Sequence, residues 1–309
     1  MKFNRKDLVS IRDLTKEEIE FILEQAQSFK EINERVIKKV PTLRGKTVVT
    51  CFYEPSTRTR LSFEVAAKRL SADTLNFSAS TSSVKKGETF LDTLKNIEAL
   101  KSDVVIIRHP ASGATKFASK ILKASVVNAG DGINEHPTQA LLDAFTILEK
   151  KGRIKGLNII IAGDILHSRV ARSNIFLLTK LGANVKVYAP PMMMPRDIEK
   201  TGVKIVKDFR DEIKEADVVM MLRVQLERQN KALFPSIREY AKFFGFKKEY
   251  LENLKNDAII MHPGPMNRGV EISSEVADSD KSVILEQVEN GIAVRMAILY
   301  LLIGSGGES

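Results

Sequence analysis

The chain has 309 residues, 43% of them apolar and 28% charged, with a formal net charge of +9, one cysteine and no tryptophan. That length supports a large core and two domains of about 150 residues each, and the lone Cys51 excludes an internal disulfide framework. The basic excess is dispersed among acids, with no basic block or arginine-rich tail, which argues against nucleic acid and leaves anionic small molecules as the partners of a basic cleft. Residues 1–10 are polar and lack the apolar stretch of a signal peptide. The longest apolar run, 292–303, is short for a membrane span and contains Arg295, so a cytoplasmic protein with no membrane contact is expected.

An amphipathic helix is predicted over 15–36, with Ile19, Ile22, Leu23, Ala26 and Phe29 on one face. After it, β and α patterns alternate. Strands are predicted over 47–52, 74–77, 104–107, 125–128, 158–162, 184–188, 203–206, 218–222 and 258–261. Helices over 61–70, 89–100, 115–122, 138–150 and 170–181 separate most of them. This alternation predicts an α/β protein with parallel sheets covered by helices on both faces. Four strands before His136 and five after it are too many for one compact unit, so two doubly wound parallel-sheet domains with a cleft between them are expected. The last helix, 285–303, has no strand after it and is expected to return to the first domain. The domains are therefore set at 1–135 plus about 286–309, and 136–285. The stretch 223–246 lacks a clear period and reads as a mobile loop or lid.

The first strand runs into Pro55, and Phe63, Ala66, Ala67 and Leu70 then follow at helical spacing. A strand, a tight turn and a helix start are expected, with Ser56 and Thr57 in the capping region. Arg58 and Arg60 fall in the first turn, where the helix dipole is already positive and each cation costs from a few tenths to about 1 kcal/mol. A bound anion reverses that sign, and backbone N–H groups, hydroxyls and a guanidinium together suit a phosphate. On this stretch alone, a capped helix with arginines reaching into water is equally consistent.

In open parallel sheets, ligands bind beyond the carboxyl ends of the strands. The polar clusters there are Ser56-Thr57-Arg58-Thr59-Arg60, Arg108-His109-Pro110, the segment from Asp131 to Gln139 with His136, Gly163-Asp164 followed by Arg169, Arg223-Val224-Gln225, and His262-Pro263-Gly264-Pro265. No dinucleotide fingerprint, P-loop, zinc spacing or nucleophile elbow occurs. A site without metal or cofactor is expected, rich in fixed cations, working by positioning and electrostatic stabilisation rather than covalent chemistry.

Those segments, with Arg223-Val224-Gln225-Leu226-Glu227-Arg228, resemble the signature set of the aspartate/ornithine carbamoyltransferase family, across essentially the whole chain and in family order. The arginine- and glutamine-rich segment resembles the aspartate branch, and no cysteine is available near His262 to contact an ornithine amine. The resemblance implies transfer of the carbamoyl group of carbamoyl phosphate to L-aspartate, early in pyrimidine synthesis. By the same resemblance, Ser56, Thr57, Arg58 and Thr59 hold the phosphate, while Arg108, His136 and Thr59 face the carbamoyl oxygen. Gln139 and the backbone at Gly264 and Pro265 orient the carbamoyl NH2. Arg169, Arg223 and Gln225 grip aspartate, and Glu54 holds Arg169 and Arg228 on domain closure. Ser82 and Lys86 match a loop that in the family enters the neighbouring subunit's site, which implies a homotrimer. Regulatory chains or a dihydroorotase are further partners in the family. Gly264 departs from the family's usual leucine; since backbone carbonyls act there, little loss is expected. His109 and His262 read as structural, and His167 as a surface or interface residue. Two other readings stay open: a carbamoyltransferase for another amine such as ornithine, and a silent phosphate-binding scaffold.

Overall fold

Every predicted strand run forms a strand in the computed structural model, which describes residues 3–78, 87–225 and 236–304. The chain opens with α1 (Lys16–Glu34), started by a capping box in which Glu18 N donates to Thr15 Oγ1 at 3.2 Å and Thr15 N donates to Glu18 Oε2 at 2.7 Å. Its buried face carries Ile19, Ile22, Leu23, Ala26 and Phe29. The helix stops short of Val36, which is fully exposed.

The first sheet contains β1 (Thr47–Phe52), β2 (Asp73–Ser78), β3 (Val104–His109) and β4 (Ser125–Asp131), in the order β2-β1-β3-β4 and parallel throughout. Its helices are α2 (Thr57–Arg69), α3 (Phe90–Ala99), α4 (Ala114–Ile121) and α5 (Pro137–Lys151). Alternate strand residues point to one face, and Val49, Cys51, Val105, Ile107 and Val126 accordingly cluster with Leu94 and Ile97 of α3 and Ala118 of α4. Cys51 is a core residue, its thiol pKa pushed up to about 12 by burial.

The second sheet contains β5 (Asn158–Ala162), β6 (Asn184–Tyr188), β7 (Lys204–Ile205), β8 (Val218–Met221) and β9 (Ile259–Met261), all parallel in the order β7-β6-β5-β8-β9. The associated helices are α6 (Arg169–Lys180), α7 (Phe209–Glu212), α8 (Ile237–Phe244) and α9 (Ser274–Ala277). Ile160, Ala162, Val219, Met221 and Ile260 pack with Phe209, Ile213, Phe246, Tyr250 and Val276. The stretch expected to be a loop over 223–246 thus holds α8. The overlooked signal was Ser236 three residues before Glu239: Ser236 Oγ accepts from Glu239 N at 3.1 Å and starts the helix.

The chain divides into two compact units, Met1–Phe145 with Val288–Ser309, and Thr146–Gln287. The divisions fall inside α5 and inside the last helix, α10 (Ile284–Leu299), most of which belongs to the first unit. With the π-helical turn Tyr300–Gly304 that continues it, α10 is long and apolar enough to cross a membrane by length and composition. Ala293, Val294, Met296, Ala297, Ile298 and Leu299 are instead buried, as in a core helix.

Both sheets reverse direction once. In the first, the chain leaves β1 for β2 on one side and returns to β3 on the other; in the second, it leaves β5 for β6 and β7 and returns to β8. The places beyond the carboxyl ends of β1 and β3, and of β5 and β8, are therefore topological switch points, where loops diverge and leave room for a ligand.

Candidate active site

At the switch point of the first unit, β1 ends at Phe52 and α2 begins at Thr57. Ser56 occupies the N-cap with an extended backbone, but its hydroxyl does not cap the helix; Ser56 Oγ donates to Thr59 Oγ1 at 2.9 Å. Two hydroxyls are thereby grouped at the positive end of α2, with Thr59 buried and Thr57 and Arg58 exposed. Arg60, the other first-turn arginine, turns along the helix, with Nε 3.9 Å from Glu64 Oε1.

The neighbouring strand end supplies Arg108. Its carbonyl accepts from Tyr53 N at 2.8 Å, which ties the exit of β1 to the exit of β3. Its guanidinium donates Nη1–H to Ala129 O at 3.2 Å, and Nε lies 3.4 Å from Glu54 Oε2. Glu54, expected to hold Arg169 and Arg228, thus pairs with Arg108 within this unit. Next to it, His109 packs at a tilt against Tyr53 and Phe90, with ring centroids 4.8 and 4.7 Å away. Its Nδ1 accepts from Ala111 N at 3.0 Å, and burial holds its pKa below the usual value. It is a neutral wall of the site.

His136 directly precedes Pro137, the first residue of α5, where proline's fixed φ suits a helix start. The turn before it is held by two buried carboxylates. Asp131 accepts from Gly113 N at 2.7 Å, Asn128 Nδ2 at 2.9 Å and Glu135 N at 3.1 Å. Glu135 accepts from Ser10 Oγ at 2.5 Å and Ile11 N at 2.9 Å. His136 is buried, with Thr138 Oγ1 3.5 Å from its Nδ1. Gln139, one helical turn further, donates Nε2–H to Asp143 Oδ1 at 2.9 Å. The first unit therefore brings Ser56, Thr57, Arg58, Thr59, Arg108, His136 and Gln139 to the exits of its strands.

The second unit repeats the pattern. Arg169 is the first residue of α6, behind the N-cap Ser168, whose hydroxyl accepts from Ala171 N at 3.1 Å. Like Arg58, it is a cation on a positive helix end, but it is buried. At the exit of β8, Arg223 Nη2 donates to Gln225 Oε1 at 3.2 Å. Asp164, fully buried, joins the two exits: it accepts from His167 N at 3.2 Å, pairs with His167 Nδ1 at 2.8 Å, and accepts from Gln225 N at 3.2 Å. His167, expected at the surface or at an interface, is half-buried. Its spacing of three from Asp164 lets the side chain fold back onto the carboxylate.

The segment at the exit of β9 is organised by His262. Gly264 N donates to its Nδ1 at 2.8 Å, so the ring carries its proton on Nε2 and donates it to Glu271 Oε1 at 3.1 Å. Glu271 Oε1 also accepts from Asn267 N at 2.6 Å, and His262 N donates to Gln287 Oε1 at 2.9 Å. Gly264 adopts φ of 61°, a left-handed conformation that glycine reaches without a Cβ penalty, so its place in a segment that resembles one with leucine has a local cause. Asp143, Asp164 and Glu271 are supporting carboxylates to which the sequence motifs assign no role: Asp143 accepts from Gln139, Asp164 from His167 and Gln225, and Glu271 from His262 and Asn267. Ser82, Lys86 and Arg228 lie outside the described residues. Among the described residues, no three His, Cys, Asp or Glu side chains group closely enough to hold a metal ion.

The chain carrying these strand-exit residues has counterparts among known proteins. Residues 6–149 match the carbamoyl-phosphate-binding domain model of aspartate/ornithine carbamoyltransferases, and residues 155–302 match the Asp/Orn-binding domain model. The aspartate carbamoyltransferase catalytic subunit of Geobacter sulfurreducens is 60% identical over 309 residues, covering 100% of this chain and 99% of that protein. Among solved structures, Trypanosoma cruzi aspartate transcarbamoylase in complex with N-(phosphonacetyl)-L-aspartic acid superposes with a TM-score of 0.88 at 30% identity, covering 98% of this chain and 96% of that chain. Ornithine carbamoyltransferase from Pyrococcus furiosus superposes with a TM-score of 0.88 at 32% identity, covering 100% of both chains. Strand exits, sequence matches and backbone agree, and the chain belongs to the aspartate/ornithine carbamoyltransferase family.

Proposed function

We propose that this protein transfers the carbamoyl group of carbamoyl phosphate to the α-amine of L-aspartate, giving N-carbamoyl-L-aspartate and phosphate, a step of pyrimidine synthesis. The observation that carries the reading is the set of residues at the strand exits of the first unit: Arg58 at a positive helix end with grouped hydroxyls after β1, Arg108 at the end of β3, and His136 and Gln139 at the start of α5. A dianionic phosphate answers Arg58 and the first turn of α2. Arg108, His136 and Thr59 face the carbamoyl oxygen, where negative charge grows as the amine attacks; one such donor contributes about 10²–10³ in rate. Gln139 and the carbonyls near Gly264 and Pro265 orient the carbamoyl NH2. The C–N bond forms as the C–O bond to phosphate breaks, and the departing phosphate takes the amine proton. No side chain acts as a nucleophile.

Aspartate is preferred to ornithine because Arg169, Arg223 and Gln225 offer two guanidinium groups and an amide to two carboxylates, with Arg223 and Gln225 already oriented towards each other at 3.2 Å. The Geobacter relative bears the aspartate name, while the superposition on an ornithine enzyme shows that the backbone alone does not separate the two amines. Turnover is measured with purified protein, carbamoyl phosphate and either amine. Production of carbamoyl aspartate, with ornithine neither used nor competing, is expected; turnover of ornithine instead sinks the aspartate reading. Arg58→Ala should lower kcat by at least about 10².

We further assign Ser82 and Lys86 to the neighbouring subunit's site in a homotrimer. Mixing inactive Lys86→Ala and Arg58→Ala chains should restore activity, since some sites then combine two intact halves. No recovery after subunit exchange refutes shared sites.

A further inference from the structure

The first unit contains a buried charge that the reaction as described does not use. Arg295 of α10 is 4% exposed. Its guanidinium donates Nη1–H to Ser62 Oγ at 2.9 Å and to Gly291 O at 3.1 Å, and lies over the Phe63 ring with Cζ 5.0 Å from the centroid. Its Nε, also buried, has no hydrogen-bond partner among the described residues. An arginine so placed costs stability unless its charge is answered.

Two neighbouring helices face it through residues one turn from the proposed carbamoyl phosphate site. On α2, Ser62 stands four positions after Arg58, and side chains four apart share a helix face. On α5, Asp143 stands four positions after Gln139 and accepts its amide hydrogen at 2.9 Å. The Arg295 cation feels both charges. Burial lowers its pKa to about 10, Asp143 opposes that shift and Arg58 adds to it, so Arg295 stays protonated at neutral pH.

We propose that Arg295 is a positioning residue for the carbamoyl phosphate pocket, keeping Arg58 directed outward from one side and, through Asp143, holding Gln139 from the other. This rests on the carbamoyl phosphate reading of Arg58 and Gln139. Like charge disfavours an inward turn of Arg58, which is exposed, and so orders it for an anion before the anion arrives. The balanced Asp143 carboxylate in turn fixes the Gln139 amide.

The test is the full chain with Arg295→Met and Asp143→Asn together. This removes both charges, leaves none unpaired, and keeps a side-chain oxygen for Gln139. Inorganic phosphate is titrated calorimetrically, and KM is measured for each substrate. The expected result is phosphate affinity weakened about tenfold, KM for carbamoyl phosphate raised similarly, and KM for aspartate moved less than about twofold, with an unchanged circular dichroism spectrum. A folded double variant whose phosphate affinity and KM stay within about twofold of wild type overturns the proposal. Ser62→Ala buries no charge and only releases the guanidinium; it should weaken phosphate about threefold, and no change in it also overturns the proposal. Because phosphate binding is read separately, a wild type that binds phosphate but does not turn over aspartate refutes the functional reading, while the titrations still decide the role of Arg295.

Discussion

Replacing His262 with phenylalanine tests whether the segment from His262 to Glu271 is held by its hydrogen bonds or by packing alone. The ring is 1% exposed and Glu271 is fully buried, so no water replaces what is lost. Phenylalanine keeps the ring's bulk but gives Gly264 N–H no acceptor, at a cost of about 1–3 kcal/mol. It also removes the charge-assisted bond to Glu271, about 1.5–3 kcal/mol, although Asn267 N still reaches the same oxygen. The total of about 2.5–6 kcal/mol corresponds, for a unit of this size, to a Tm lower by roughly 5–24 °C. Urea unfolding followed by circular dichroism and tyrosine fluorescence measures it, since the chain has no tryptophan. Glu271→Gln serves as the comparison: its amide oxygen still accepts from His262 and Asn267, so its loss should be less than half as large. The reasoning is refuted if His262→Phe lies within about 1 kcal/mol of wild type, or if Glu271→Gln costs as much as His262→Phe. In the second case Glu271 acts through its charge on another group.

Gly163→Ala should destabilise the second unit by more than the roughly 1–3 kcal/mol of a strained backbone, because φ is 129° and the added Cβ would meet Leu222 O at 2.6 Å; a thermal melt checks it. Burial holds the pKa of His109 below its usual 6.5, so on acidification the unfolded chain takes up a proton before the folded chain does. Stability from this residue is therefore present above pH 6.5 and is lost as pH falls towards the folded value, and His109→Phe should show a shallower loss over that window in urea titrations at stepped pH. Cys51 is fully buried with its pKa pushed up to about 12, so a thiol reagent at neutral pH should label it only at the rate at which the first unit opens; fast labelling of the native protein contradicts its place in β1.

Much of the fold was legible in the residues because parallel strands buried on both faces must be continuous apolar runs. The runs at 47–52 and 158–162 became β1 and β5 with the same bounds, while β6 over 184–188 was marked by alternation, with Val185 and Val187 buried. Reading failed where local chemistry set an element without a long apolar period. The helix α8 rests on a capping serine and one buried tyrosine, Tyr240, within a stretch whose lack of period predicts a loop. The strand expected over 203–206 shortened to Lys204–Ile205 at the edge of its sheet, where only one neighbour holds it.

The same division runs through the site. Sequence alone determined which residue types stand at the strand exits, since arginine, histidine and glutamine immediately after an apolar run have few other places to go. It did so for Arg58, Arg108, His136, Arg169 and Arg223. Only the tertiary structure decided what supports them. The Asp143 charge acts on Arg295 from 152 positions away in the chain, Asp164 reaches Gln225 from 61, and the Glu54 carboxylate pairs with Arg108. These links join groups far apart in sequence, set by the order in which strands enter a sheet. No local pattern encodes them, because hydrogen bonds and buried charges are satisfied by whatever the fold brings within reach.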